Sequence, residues 1–351
     1  MASIEGTVIA PLVHMPITGN SEDLKKMVTL AWNGAAFDYE AKRFYLAVPG
    51  GHADWYPNES FMIDLVANRS ARLHEMTPYP PEFVGGANRD IPSRPANGIY
   101  LYTDGKPASR HTYAMPIWLP KQQRVLMASG ACFDKGGRAD KYCGWLDPAT
   151  GQWAHKNLWP FHRSGMAAVY DFRRDRIFCG RSTQNLWTYD PATDTATNFP
   201  RGSDPYNADI GVYVSFQIDP KEDCVYAINL GGFFPNDDAK RADLLRMKLG
   251  QNTGQAWEPV AIKGDTSGLK GKSPGFEYDA DMHALVLWDF AYPDRVAILR
   301  LADMAMEYRA IPVPPGAEHT INGVWGRFRR LGRGRYALMA SPFFPVQRIS
   351  V

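Results

Sequence analysis

The sequence predicts an all-β chain folded as a six-bladed β-propeller of four-stranded antiparallel blades. Three observations carry that expectation. The first is a pair of apolar strands, broken by the same short turn, that recurs along the chain. The copies begin with Ala36-Phe37-Asp38 then Arg43-Phe44-Tyr45-Leu46, Ile117-Trp118-Leu119 then Arg124-Val125-Leu126-Met127, and Val169-Tyr170-Asp171 then Arg176-Ile177-Phe178. They continue with Gln217-Ile218-Asp219 then Cys224-Val225-Tyr226, Glu277-Tyr278-Asp279 then Ala284-Leu285-Val286-Leu287, and Phe328-Arg329-Arg330 then Arg335-Tyr336-Ala337-Leu338. The second is the period: successive copies lie roughly 50–60 residues apart, with one longer gap, as blade-sized repeats do. The third is composition. Aromatic residues make up 13%, with 31 Gly and 27 Pro, which suits many short strands joined by tight turns.

The first blade sets the plan, with strands expected over residues 29–37, 43–48, 60–65 and 71–76. Blade two is expected over 109–158, blade three over 162–201, blade four over 206–264 and blade five over 268–316, with blade six beginning near Thr320. In blades two and three the third strand ends in matching turns, Asp147-Pro148-Ala149-Thr150 and Asp190-Pro191-Ala192-Thr193. Proline fits there because its fixed φ suits the second turn position and no ladder donor is lost. Blade six is short by one strand, having room only for 335–340 and 346–351. An unpaired edge would remain at the seam. The segment Gly6-Thr7-Val8-Ile9-Ala10-Pro11 is therefore expected to supply the fourth strand and close the ring. Residues 77–107 lack a paired apolar hairpin and are read as a long inter-blade loop in a single domain spanning 1–351.

A net charge of +2 with no basic stripe excludes a nucleic-acid footprint, and the Arg-rich run 327–335 falls in a repeat turn. No run approaches the roughly eighteen apolar residues of a membrane span, and the first residues lack a charged leader. A soluble chain without membrane insertion is expected. Cys132, Cys143, Cys179 and Cys224 have no CxxC spacing and read as buried thiols, with Cys132–Cys143 the one pairing considered.

The period, the Gly50-Gly51 doublet after the second strand, and Trp153, Trp187 and Trp257 late in their blades resemble kelch-type propellers. That superfamily includes the central domain of galactose oxidase. The stretch Gly50-Gly51-His52-Ala53-Asp54-Trp55-Tyr56-Pro57-Asn58-Glu59, followed by Ser109-Arg110-His111-Thr112-Tyr113, resembles uncharacterised bacterial and phage-encoded members. The resemblance implies the fold and a virion or bacterial surface assembly. It does not bring copper chemistry, because no Cys lies in a motif matching that enzyme's Cys–Tyr cross-link.

Propeller geometry puts the strand two–three loops and the inter-blade loops on one face. The sequence spends its unusual residues there, and long loops of this kind carry function. His52, Asp54, Trp55, Tyr56, Arg110, His111 and Tyr113 come from neighbouring blades; Arg163, Tyr206, Asn207 and His319 enter at later blade starts. A ring of such residues suits a sugar: aromatic faces stack on its C–H face, while Arg and Asn bind hydroxyls or a carboxylate. The bland alternative is that His52 ties its loop to the backbone and Tyr113 packs at the channel lining. His52, Asp54 and His111 hold donors for an open metal site, but their loop placement does not support that geometry, and no metal or cofactor is expected. Asn236-Asp237-Asp238 lacks calcium-loop spacing.

Three functions follow. The favoured one is a non-enzymatic propeller that binds carbohydrate or a protein partner on the long-loop face. The second is a polysaccharide lyase on uronate glycans. There Arg110 would neutralise the carboxylate, His111 abstract the proton and Tyr113 protonate the leaving oxygen. The third is a generic protein-interaction scaffold. No nucleophile elbow, P-loop or dinucleotide fingerprint is present.

Overall fold

Four of the six repeat copies form hairpins whose turns are fixed by an aspartate side chain. Asp38 Oδ1 accepts the backbone N–H groups of Glu40 at 3.0 Å and Ala41 at 3.1 Å. Asp171, Asp219 and Asp279 cap their turns the same way. Such side-chain turns relieve the backbone donors that a reversal leaves unpaired. The residue just before the second strand is left-handed in every copy: Lys42, Gln123, Asp175, Asp223, His283 and Gly334 have φ between 49° and 60°. A tight turn ending in one left-handed residue matches the twist of the strands it joins.

The computed structural model describes residues 10–11, 27–28, 31–52, 54–78, 99–133, 136–157, 159, 164–182, 185–199, 213–228, 244–250, 257–267 and 273–351. Six four-stranded antiparallel sheets form the blades, and their inner strands are Ala36–Asp38, Ile117–Leu119, Ala167–Asp171, Ser215–Asp219, Gly275–Asp279 and Phe328–Gly332. The fold is all-β and six-bladed. Each inner strand packs toward the axis, while outer strands such as Arg69–His74 and Thr195–Asn198 face water. Between blades the sheets stack through apolar side chains, as in the parallel Tyr45 and Trp118 rings 5.1 Å apart.

The first strand is shorter than expected. It starts at Ala36 because Trp32, at φ 53°, breaks the extended path. The fourth strand of that blade runs Arg69–His74 rather than over 71–76. In the last blade the ladder skips Leu331, so Arg330 faces Tyr336 and Gly332 faces Arg335. Both ends of the 77–107 segment are anchored by buried Asn58. Its amide donates to Thr77 Oγ1 and to the Pro107 carbonyl, each at 2.9 Å, and its oxygen accepts Thr77 N–H at 2.8 Å. Residues 79–98 lie outside the described residues.

The last blade meets the first at the axis, and a short pairing lies on its outer edge. On the outside, Ala10–Pro11 runs antiparallel to Gln347–Ser350, with Ala10 opposite Arg348 and Pro11 opposite Gln347; the rest of the expected N-terminal strand lies outside the described residues. At the axis, Arg327 is fully buried without a carboxylate partner. Its Nε donates to Asn33 O of blade one at 2.9 Å, Nη1 to Met339 O at 2.7 Å and Nη2 to Gly323 O at 2.6 Å. Burial pushes its pKa down to about 10, so it stays charged at neutral pH.

Two outcomes test these contacts. Replacing Arg327 with Met orphans buried carbonyls on both blades and is expected to cost about 2–5 kcal/mol in urea unfolding. A change under about 0.5 kcal/mol would show that the axial seam is held otherwise. Deleting residues 1–11 leaves a bare edge on blade six and is expected to lower the melting temperature. An unchanged value would refute the N-terminal clasp.

Candidate functional site

The loop after the second strand of blade one is pressed onto blade two. Gly50 N–H donates to Arg110 O and His52 N–H to Cys132 O, both at 3.1 Å. Arg110–His111 in turn pairs with Ala131–Cys132. This approach requires glycine at position 51. A Cβ there would lie 2.3 Å from Ala131 O and 2.4 Å from His111 N, and the residue has φ 91°. The consequence is chemical: His52 and Asp54 are brought beside His111. His111 Nε2 donates to Asp54 Oδ2 at 2.6 Å, which fixes its tautomer. The His52 ring stands 5.5 Å from the His111 ring, edge to face, with Gly137 packed against it. His111 is almost fully buried and Asp54 one-third exposed, at 4% and 34%, while His52 is exposed.

Neighbouring residues on a strand face opposite sides, and this separates Arg110 from the group. Arg110 is fully buried, with Nη1 on Asp140 Oδ1 at 3.0 Å and on Ser129 O at 2.8 Å, and Nε on Ala108 O at 3.1 Å. Its guanidinium also lies over the Tyr142 ring at 5.0 Å. Burial pushes the Asp140 carboxyl up, and Arg110 together with the Tyr100 N–H opposes that push. Arg110 is placed as a strut inside the blade, away from the surface cluster.

Tyr113 does join the group, but as part of a plug. Its ring meets His111 at 5.9 Å, Trp32 at 6.1 Å, Tyr213 at 5.6 Å and Trp325 at 5.4 Å. Trp32 lies parallel to His111 at 6.2 Å and edge-on to Tyr213 at 4.8 Å. Tyr113 and Trp325 are buried, whereas Trp32 and Tyr213 keep part of their surface in solvent. The backbone explains the convergence. Each blade enters its inner strand through one left-handed residue: Trp32 (φ 53°), Tyr113 (51°), Gly165 (70°), Tyr213 (75°), Ser273 (44°) and Trp325 (54°). Trp32, Tyr213 and Trp325 went unnoticed in the sequence. Their signal was a fixed offset: each stands six residues before the residue that opens its blade's first turn, once the skipped Leu331 is counted.

The remaining candidates are dispersed. Trp55 packs with the apolar cluster around Phe37 and Phe44, and Tyr56 donates its hydroxyl to Thr77 O and packs on Phe133. His319 binds Ser341 Oγ at 3.0 Å in a separate loop pair. Arg163, Tyr206, Asn207 and the 236–238 cluster lie outside the described residues. Among the described residues no cluster of three or more His, Cys, Asp or Glu could hold a metal, and all four cysteines are free and buried. No helix among them is long and apolar enough to cross a membrane. Compared with known proteins, the chain matches no family model and no curated protein.

The Asp54–His111 contact has a predictable pH signature. Burial, reinforced by the neighbouring His52, holds the His111 pKa below its usual value, with Asp54 opposing. The unfolded chain therefore takes up this proton first as pH falls below about 6.5, so the contribution is full above that value and is lost on acidification. Unfolding free energy should drop more between pH 7.5 and 5.5 in the parent than in His111→Gln. Equal drops would mean that His111 titrates normally.

Proposed function

We propose that the protein is a non-enzymatic propeller that binds carbohydrate on its long-loop face. The observation that carries this reading is the meeting of a partly exposed aromatic pair with polar side chains. Trp32 and Tyr213 offer partly exposed rings, and His52 and Asp54 offer hydrogen-bonding groups, the two sets linked through His111, which stacks on Trp32 and meets both. A sugar needs both: an apolar surface for its C–H face and a donor or acceptor for its hydroxyls. The period and the Gly50-Gly51 loop support a place among kelch-type propellers, and with it a role in a virion or bacterial surface assembly.

A polysaccharide lyase is the second reading, favoured by one observation: Asp54 orients the His111 ring, whose pKa burial holds below its usual value. Its other parts fit less well. Arg110 is locked to Asp140 and backbone carbonyls, leaving no guanidinium for a uronate, and Tyr113 is packed in the plug. Binding thus explains the arrangement with fewer demands.

A glycan panel separates these readings. Binding predicts saturable affinity for at least one glycan and a loss of about tenfold or more in His52→Ala and in Trp32→Ala, with folding checked by circular dichroism. A lyase predicts release of unsaturated uronate and a loss of turnover by orders of magnitude in His111→Ala. Glycan binding that survives both His52→Ala and Trp32→Ala would remove the site assigned here. No glycan binding at all would leave a protein partner or scaffold role.

A further inference from the structure

The inner strands enclose a second space, opening on the opposite face. It holds about 310 Å3 along the propeller axis and is lined by residues from every blade. Its rim is set by the first turns. There Phe172, 64% exposed, stands 4.7 Å from Tyr170 and 6.2 Å from Tyr39. Turn tips normally carry polar residues, so a largely exposed aromatic at a cavity mouth marks a contact surface.

The wall has two unlike halves. Blades two and three contribute Ile117, Trp118, Ala168, Val169 and Tyr170, an apolar and aromatic arc. Across the axis, blades four, five, six and one contribute Gln217, Glu277, Arg329 and Tyr39. These form one buried network. Tyr39 donates to Glu277 Oε1 at 2.6 Å, Arg329 Nη1 to Glu277 Oε2 at 3.0 Å and Gln217 Nε2 to the same oxygen at 3.3 Å. Glu277 and Arg329 offset each other, and Arg330, which also lines the wall, is paired with Asp279 and Asp281, so no charge there lacks a counter-charge. Arg329 donates Nε to Gly326 O and Nη1 to Glu277 and is also hydrogen-bonded with Tyr39, so the polar edge of the wall is one connected group.

We propose that this axial cavity binds a small, neutral aromatic molecule that carries a hydroxyl or carbonyl on one edge. Apolar walls with a few convergent polar groups are the ordinary form of a small-molecule site, and this volume lies at the lower end of their range. The flat body would lie against Trp118 and Val169, and its polar edge would meet Arg329 and Glu277. Ionic guests are disfavoured because the balanced pair offers no compensating charge for a desolvated ion. A free sugar is disfavoured because hydroxyls around its whole equator would face the apolar arc unpaired. The site stands apart from the long-loop face, behind the aromatic plug.

Fluorescence titration with 2-naphthol tests the assignment. One saturable site per chain is expected, weakened about tenfold or more by Val169→Trp, which fills the cavity, and weakened also by Phe172→Ser. Phe172 is exposed, so its variant still reads the question if Val169→Trp fails to fold. His52→Ala should leave naphthol affinity unchanged, so this result and glycan binding fail separately. Three results would overturn the proposal. They are no saturable naphthol binding, undiminished binding in folded Val169→Trp or in Phe172→Ser, and tighter binding of 2-naphthalenesulfonate or methyl glucoside than of naphthol.

Discussion

A ring of blades holds only if the last is joined to the first, and here the strongest described join lies at the axis. Arg327 spans from blade six to Asn33 of blade one, and the Glu277–Arg329–Tyr39 network ties blades five, six and one together. Each charge-assisted hydrogen bond of this kind contributes about 1.5–3 kcal/mol, more than a neutral backbone pair. The described outer ladder at Ala10–Pro11 is two residues long. Burying a guanidinium among carbonyls is costly unless its donors are placed, and here they hold the start of the last inner strand against Asn33 of blade one.

Much of this architecture was legible because it is local. The aspartate that opens a repeat turn caps the backbone two and three residues later, so it leaves a mark at fixed spacing. That mark stands in four of the six copies, and the paired apolar strands around the turn supply the other two. Strand ends were less legible. Residues 29–35 read as extended in an apolar stretch, but the left-handed residue at Trp32 is imposed by packing around the axis, which propensity does not register. The skipped Leu331 escaped for a similar reason, since a bulge changes pairing without changing composition.

The site divides the same way. His52, Asp54 and His111 could be grouped because their segments fall at strand ends on the same side of neighbouring blades. Arg110 could not be told from His111 without knowing which side of a two-residue ladder each occupies. Its partner Asp140 lies 30 positions away, so nothing nearby in the sequence marks the pair. The axial cavity was still less visible. Each blade gives it only a few inward-facing residues, and Gln217, Glu277, Arg329 and Tyr39 become a network only when four blades meet.

The aromatic plug has one more consequence. Among the described residues, the Tyr113, Tyr213, Trp32 and Trp325 rings pack on one another where the inner strands begin, whereas the cavity lining runs from the inner strands to the first turns. A guest that enters from the turn face meets those rings at the far end of its path. Exchange with bulk solvent on the turn side therefore passes the exposed Phe172 ring.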